Sequence, residues 1–460
     1  MKGVWWIVLL FSWPELSCKH DRDYLLFHGG AAEVGGSCIE VVVSGDHYLA
    51  DVGSWYDSEM DAGEEGDEEA KCLQKKELHE KNRFFGFEPA RIKAVFLTHA
   101  HMDHLGRLLH LYRQGFGGKV YCTASTQKLA AIMLCNGARY DEAEKLWYWT
   151  ASAHSRRKGY ITAHWKNCKV GKRIIHRNEL RGSLYELSQR IGQEAGQDVN
   201  PCRSCAELEI APMMRLFEEV DYKELIAFDK KLSITFYPTG HIPGSAAIAM
   251  KILPLRKTVL FSGDVGNDIE LLYNRPEVFP TADWVIMEGT YGALVRDRNY
   301  EAARHDFAQT MDQALSENKI VWIPSFALDR TQKVLHEIFQ GQIKDIIPMG
   351  VPIYSPSSTA DEISDLYKRW LFYPDKEGLL KKGLEGDSLF PFFIRALPFS
   401  AGTREGPAIY ITTSGMLDAA YSWRLLPEML PRSSVLLYLL VIKVPTYLEE
   451  EFWKAPQKSK

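Results

Sequence analysis

The chain has 460 residues, with 55 Lys and Arg against 60 Asp and Glu, a net charge of −5. At 46% hydrophobic and 25% charged, it is not a mainly disordered, collagen-like or disulfide-stapled chain, and it is long enough for two or three domains. The acidic balance also excludes a chain-wide basic surface, so any contact with nucleic acid must be local.

Lys2 and the apolar run Val4–Trp13 have the length of a signal-peptide core. No A-x-A cleavage site follows, and Glu15 stands where a lipoprotein signal would want an aliphatic residue. Residues 1–23 read as an N-terminal extension, with export as the alternative to a cytoplasmic location. No uninterrupted apolar run reaches the roughly 18 residues of a membrane span.

From Tyr24 onward, Tyr24–Phe27, Ser37–Val43 and Tyr48–Asp51 are short apolar runs separated by Gly-rich turns, and they read as strands. The turn 29–37 lacks the Gly-Lys-Ser/Thr of a phosphate loop. Asp57–Glu69 holds eight carboxylates and no base and reads as a solvated loop. Ala94–Thr98 is expected to be a buried strand and Asp103–Gln114 a helix, with Leu105, Leu108 and Leu109 on one face.

A polar insertion spans about 140–230. Within it, Arg156–Arg181 has nine Lys and Arg and one Glu, with Tyr160, His164 and Trp165 interleaved. Arg156, Arg157 and Lys158 are candidates for phosphate contact; the plainer reading is the solvated face of an inserted helix pair. Strands return at Ile234–Tyr237, Ala246–Ile252, Thr258–Ser262 and Trp284–Met287. After about Arg296 strands and helices alternate. Ile320–Pro324 leads to Leu328–Phe339, Val351–Tyr354 to Ala360–Trp370, and Ala408–Thr412 to a helix after Met416. Such alternation predicts a mainly parallel sheet flanked by helices.

Eight cysteines are too sparse for a disulfide framework. Only Cys202 and Cys205 have metal-like spacing, with Cys168 the nearest third ligand; a lone CxxC is a weak signal, and ordinary thiols are the alternative.

The informative segment is Thr98-His99-Ala100-His101-Met102-Asp103-His104, at the end of a predicted strand. Three imidazoles and a carboxylate buried together without a counter-ion would cost several kcal/mol. Neutral imidazole and carboxylate are the ligands zinc prefers. So short a span cannot bring four ligands to one ion, and it suits two neighbouring ions, with His99 and His101 on one and Asp103 and His104 on the other. His241 and Asp264 each lie just past a strand and follow a glycine, which lets the backbone approach closely. Asp51, at a strand end, is a candidate for orienting the ligands.

In this order, Asp51, the 99–104 run, His241 and Asp264 resemble the four motifs of the metallo-β-lactamase fold, across about 24–292. The wording around them is similar to the β-CASP nucleic-acid hydrolases. Supporting segments are the 31–38 turn, Gly240-His241-Ile242-Pro243-Gly244-Ser245-Ala246 and Glu288-Gly289-Thr290-Tyr291-Gly292. Pro324–Arg330 and Thr413–Leu417 add to them. Three departures stand out: Gly289 replaces a Ser, Asp329 replaces a Gly, and no Gly-Pro follows Leu417.

The resemblance implies an α/β protein. An αββα metallo-β-lactamase sandwich (24–295) would be followed by an inserted β-CASP α/β domain (296–437) and a divergent tail (438–460). It implies a metal-dependent phosphodiester hydrolase acting on RNA, of endo- or 5′-exoribonuclease type. The alternatives are a DNA nuclease and a non-catalytic partner on the same fold. Two Zn2+ ions are implied. His99, His101 and His241 would hold one, Asp103 and His104 the other, and Asp264 would bridge them. Asp103, Asp264 and Glu288 would be catalytic, Glu288 by supporting a histidine near the leaving group. Arg330 joins the candidates for nucleic-acid contact. Two further histidines belong to the pattern, but the last histidine here is His336. The second metal site and the closing strands of the sheet are therefore expected to be incomplete, and turnover low.

Overall fold

The computed structural model describes residues 23–55, 77–153, 167–170, 173–176, 207–267, 272–273, 275–290, 292, 299–372, 390–391, 394–395, 403, 406–415, 417 and 420–439. The N-terminal extension, the acidic stretch, Arg156, Arg157, Lys158, Cys202, Cys205 and the tail beyond 439 lie outside the described residues.

Among the described residues there are three larger sheets and one hairpin. The elements run β1 (Tyr24–Gly29), β2 (Cys38–Val43), β3 (Asp46–Ala50), β4 (Ile92–Phe96), α1 (Met102–Leu105), α2 (Leu108–Arg113), β5 (Lys119–Cys122) and α3 (Ala124–Ala153). The hairpin β6 (Asn167–Val170) and β7 (Arg173–His176), α4 (Glu207–Met214) and β8 (Phe217–Glu219) follow. The first sheet has the order β1-β2-β3-β4-β5-β8. The second sheet contains β9 (Ile226–Ala227), β10 (Leu232–Pro238), β11 (Ala246–Ile252), β12 (Lys257–Phe261) and β13 (Trp284–Ile286), in the order β13-β12-β11-β10-β9.

The two sheets face each other. Alternate residues on β3 and β4 explain how. Tyr48, Ala50, Ala94 and Phe96 point to a core shared with Ile234, Phe236, Ile248, Met250 and Phe261 of the second sheet. Their neighbours Leu49, Val95 and Leu97 join a second core with Leu105, Leu108, Leu111 and Leu129 of the helices. A strand buried on both faces reads as a continuous apolar run, as Ala94–Leu97 does.

The third sheet is formed by α5 (Tyr300–Ser316), β14 (Ile320–Pro324), α6 (Arg330–Ile343), β15 (Ile353–Tyr354), α7 (Ser358–Phe372), β16 (Ile394–Arg395), β17 (Ala408–Thr412), α8 (Ala420–Met429) and β18 (Val435–Leu437), with the strands in the order β16-β15-β17-β14-β18. Every pairing in it is parallel, as strand–helix alternation requires. Its inward residues Val321, Ile323, Leu335 and Ile338 belong to the same buried cluster as Leu105 and Leu129.

The structure corrects four expectations. The helix expected over 103–114 is two short helices. The Arg107 N–H turns away from the helix to bond Val52 O at 3.0 Å, and its guanidinium is buried against Gly53 O at 2.6 Å. The described part of the basic stretch is an antiparallel hairpin, not a helix pair. Helix α3 went unmarked, although Leu129, Ala130, Met133, Leu134 and Ala138 form a buried stripe at helical spacing. Cys135, on α3, is disulfide-bonded; spacing along the chain does not show which cysteines meet in space. No helix among the described residues is long and apolar enough to cross a membrane.

Cys38 is free and fully buried at the start of β2, and burial pushes its thiol up to about 12. The thiolate is the reactive form, so Cys38 is expected to resist iodoacetamide in the native protein at neutral pH and to react once the chain is unfolded. Peptide mass spectrometry reads both states.

Candidate metal centre

The ends of four strands meet at one edge of the sandwich. Asp51 follows β3, His99 to His104 follow β4, His241 lies in the turn between β10 and β11, and Asp264 follows β12. Ala246 N donates to Thr98 O at 2.8 Å across the two sheets, and Asp51 N donates to Phe96 O at 3.1 Å within the first. Ser245 Oγ accepts the His241 N–H at 3.0 Å and so shapes that turn. The two glycines before the ligands are needed for their conformation. Gly240 and Gly263 have φ of 64° and 54°, in the left-handed region that favours glycine.

Two groups of ligand atoms result. His99, His101, His241 and Asp264 form one; Asp103, His104 and Asp264 form the other. His101 Nδ1 lies 3.1 Å from His99 Nε2 and 3.1 Å from His241 Nε2. Asp264 turns Oδ2 toward this trio, 3.4 Å from His241 Nε2 and 3.7 Å from His99 Nε2. Its other oxygen, Oδ1, is 3.2 Å from His104 Nε2, and Asp103 Oδ2 is 3.9 Å from that same nitrogen. One carboxylate therefore faces both groups.

These residues fit divalent metal. Ligands tetrahedrally arranged about 2.0–2.1 Å from zinc lie about 3.3–3.4 Å apart, close to the separations within the trio. The protonation pattern agrees. Burial pushes the His99, His101 and His241 imidazoles down, His241 to about 3, so they are neutral and keep lone pairs for a metal. Burial alone would also push His104 down, but Asp264, Asp51 and Asp103 hold it well above the ordinary histidine value. Burial raises the Asp264 carboxyl, but the charge and hydrogen bond of His104 outweigh it and hold it well below the usual range. Metal binding at the second group would compete with a proton on His104.

Asp51 lies beside His104 and Thr98. Its carboxylate accepts His104 Nδ1–H at 2.7 Å and the Thr98 N–H at 2.8 Å, which aims His104 Nε2 at Asp264. Thr98 was not singled out in the sequence. Its hydroxyl donates to Asp51 at 2.9 Å and lies 3.0 Å from His99 Nδ1, so it links the supports of both groups. A Thr before the first His was the available signal.

Glu288 is placed differently from its expected part. Its carboxylate accepts the backbone N–H groups of Val265 at 3.2 Å and Thr290 at 3.1 Å. It thereby braces the loop that carries Asp264. His336 lies buried within α6. Arg330 stands exposed on the first turn of α6.

The first group offers four ligands and the second three, one of them shared. Dialysis against a weak chelator is therefore expected to strip the second ion first and to leave about one ion per chain, measured by elemental analysis.

Comparison with known proteins follows the same lines. Ribonuclease TTHA0252 of Thermus thermophilus is 28% identical over 395 residues, covering 85% of this chain and 72% of that protein. The transcription termination factor FttA of Methanocaldococcus jannaschii is 24% identical, covering 88% of this chain and 54% of that one. The endoribonuclease YSH1 of Kluyveromyces lactis is 22% identical, covering 89% and 46%. The chain spans about half the length of the last two. The family model described as the Metallo-beta-lactamase superfamily matches residues 33–304, a stretch that contains every ligand of both groups, and the chain belongs to that superfamily.

Proposed function

We propose that this protein is a zinc-dependent phosphodiester hydrolase acting on RNA. The carrying observation is that Asp264 presents one oxygen to each of two adjoining ligand groups. Two ions held there would supply Lewis-acid activation of water and of a phosphate. Asp103 and Asp264 are the carboxylates facing that position, and they are the acceptors for a proton leaving the attacking water. Asp51 and Thr98 hold the imidazoles in the tautomers that point their free nitrogens inward. Glu288 keeps the Asp264 loop in place. The relatives named ribonuclease and endoribonuclease support RNA as substrate, and such a substrate suits a cytoplasmic location.

The test is cleavage of a labelled single-stranded RNA, beside DNA of the same sequence, by the full chain with zinc or manganese. Cleavage of the RNA, lost in His241→Ala, is the expected result. Cleavage of DNA alone would make the protein a DNA nuclease. Tight metal binding with no cleavage of either would make it a non-catalytic member of the fold.

A further inference from the structure

Next to the metal centre lies a buried polar cluster that the ligands do not use. Asp329 ends the loop after β14 and caps α6, with φ of 70°, where most side chains are strained. Its Oδ1 accepts the hydroxyls of Tyr273 and Tyr367, the latter at 3.3 Å, and those two hydroxyls are 2.9 Å apart. Its Oδ2 holds Lys333 Nζ at 2.7 Å. Lys333 Nζ also lies 5.1 Å from the centre of the Tyr273 ring. Asp329 and the Tyr273 ring thus hold the Lys333 ammonium, and Tyr367 braces both of them.

The Asp329 carboxylate acts electrostatically on both His101 and His241, and Lys333 acts on His241. An enclosed ion pair is costly to desolvate. Helix α6 is already held by the buried Val334, Leu335, Ile338 and Phe339, so the pair is not needed to dock it. Lys333 nonetheless keeps 21% of its side chain open to solvent. The loop before it carries Phe326, whose carbonyl is tied to Thr331 Oγ1 at 2.7 Å and Thr331 N at 3.1 Å. Phe326 as a whole is 40% exposed, although an aromatic ring favours burial.

We propose that this loop and the first turn of α6 form a subsite for single-stranded RNA, with Lys333 on a backbone phosphate and Phe326 against the neighbouring base. This rests on the RNA reading above. An ammonium has three donors, so pairing with Asp329 does not exclude a phosphate oxygen. The positive end of α6 and the exposed Arg330 favour the same anion. Sequence-tolerant sites hold a single strand with cations on the backbone and aromatic rings against the bases.

The experiment is fluorescence anisotropy of a short labelled single-stranded RNA on the full chain over a range of salt, with the probe checked intact on a gel. Lys333→Met is expected to reduce the slope of log affinity against log salt by about 0.7, the value of one single-strand phosphate contact. Lys333→Arg should keep the slope. Phe326→Ala should weaken binding by about 5- to 100-fold, the range of one lost base stack, with the slope unchanged. Zinc content should be the same in all three, since none removes a ligand. Because Phe326 is exposed, its variant carries the test if Lys333→Met fails to fold. RNA binding by the wild type that neither Lys333→Met nor Phe326→Ala alters would overturn the subsite alone. No RNA binding by the wild type would overturn the RNA reading and the subsite with it.

Discussion

Asp264→Asn is expected to take bound metal below one ion per chain and to lower RNA cleavage by about 10³-fold, the equivalent of several kcal/mol of charge stabilisation. The substitution keeps the shape of the side chain and removes its charge. The other ligands of the first group are imidazoles that burial keeps neutral. Asp264 is therefore the only anionic ligand of that group, and it is shared with the second. An asparagine amide has one oxygen, so it can serve one group while turning N–H toward the other. Elemental analysis reads the metal and a labelled RNA reads the rate. Far-ultraviolet circular dichroism should match the wild type, because Asp264 is partly open to solvent, 24% exposed at the side chain, and packs no core. Full metal content in this variant would show that the carboxylate does not bridge.

The ligands were legible in the sequence for a physical reason. Each stands at a strand end, where an apolar run stops and a turn begins. In such places a polar group that can bind metal is conspicuous. His99, His101, Asp103 and His104 fall within six residues, and His241 and Asp264 each follow a glycine that the structure shows at positive φ. Most strands of the first two sheets could be read likewise from alternation and turns.

What could not be read depends on contacts between distant segments. The break between α1 and α2 comes from Arg107 bonding Val52 and Gly53, more than fifty residues away. The bracing role of Glu288 comes from Val265, 23 residues earlier. The cluster of Tyr273, Asp329, Lys333 and Tyr367 joins three segments. From the sequence, Asp329 could be recognised only as a departure from the family pattern. Helix α3 is a different case, since its apolar stripe was present and was passed over.

Asp51→Ala carries the second large expectation, a loss of about 10- to 100-fold in affinity for the second ion and in cleavage rate, the usual range for an outer partner of a metal ligand. Asp51 touches no metal position directly. It accepts the Nδ1–H of His104 and the N–H and hydroxyl of Thr98. Without it the His104 ring can rotate or bind its proton on the other nitrogen, and Nε2 no longer faces Asp264. The first group should be less affected, because His99 Nδ1 still has the Thr98 hydroxyl at 3.0 Å and His101 lies against His99 and His241, each at 3.1 Å. The outcome is thus unequal across the two groups: about one ion per chain retained, with the rate reduced. Asp51 also has φ of 60°, a region that alanine tolerates poorly, so a general loss of stability could produce the same fall in rate. Asp51→Asn separates the two effects. Asparagine is at ease at positive φ and can still accept one hydrogen bond, but it lacks the charge that holds His104. If Asp51→Asn keeps the wild-type melting temperature and still loses the second ion, Asp51 acts by orienting His104. If Asp51→Asn retains both ions and full cleavage, the carboxylate serves only the backbone turn after β3.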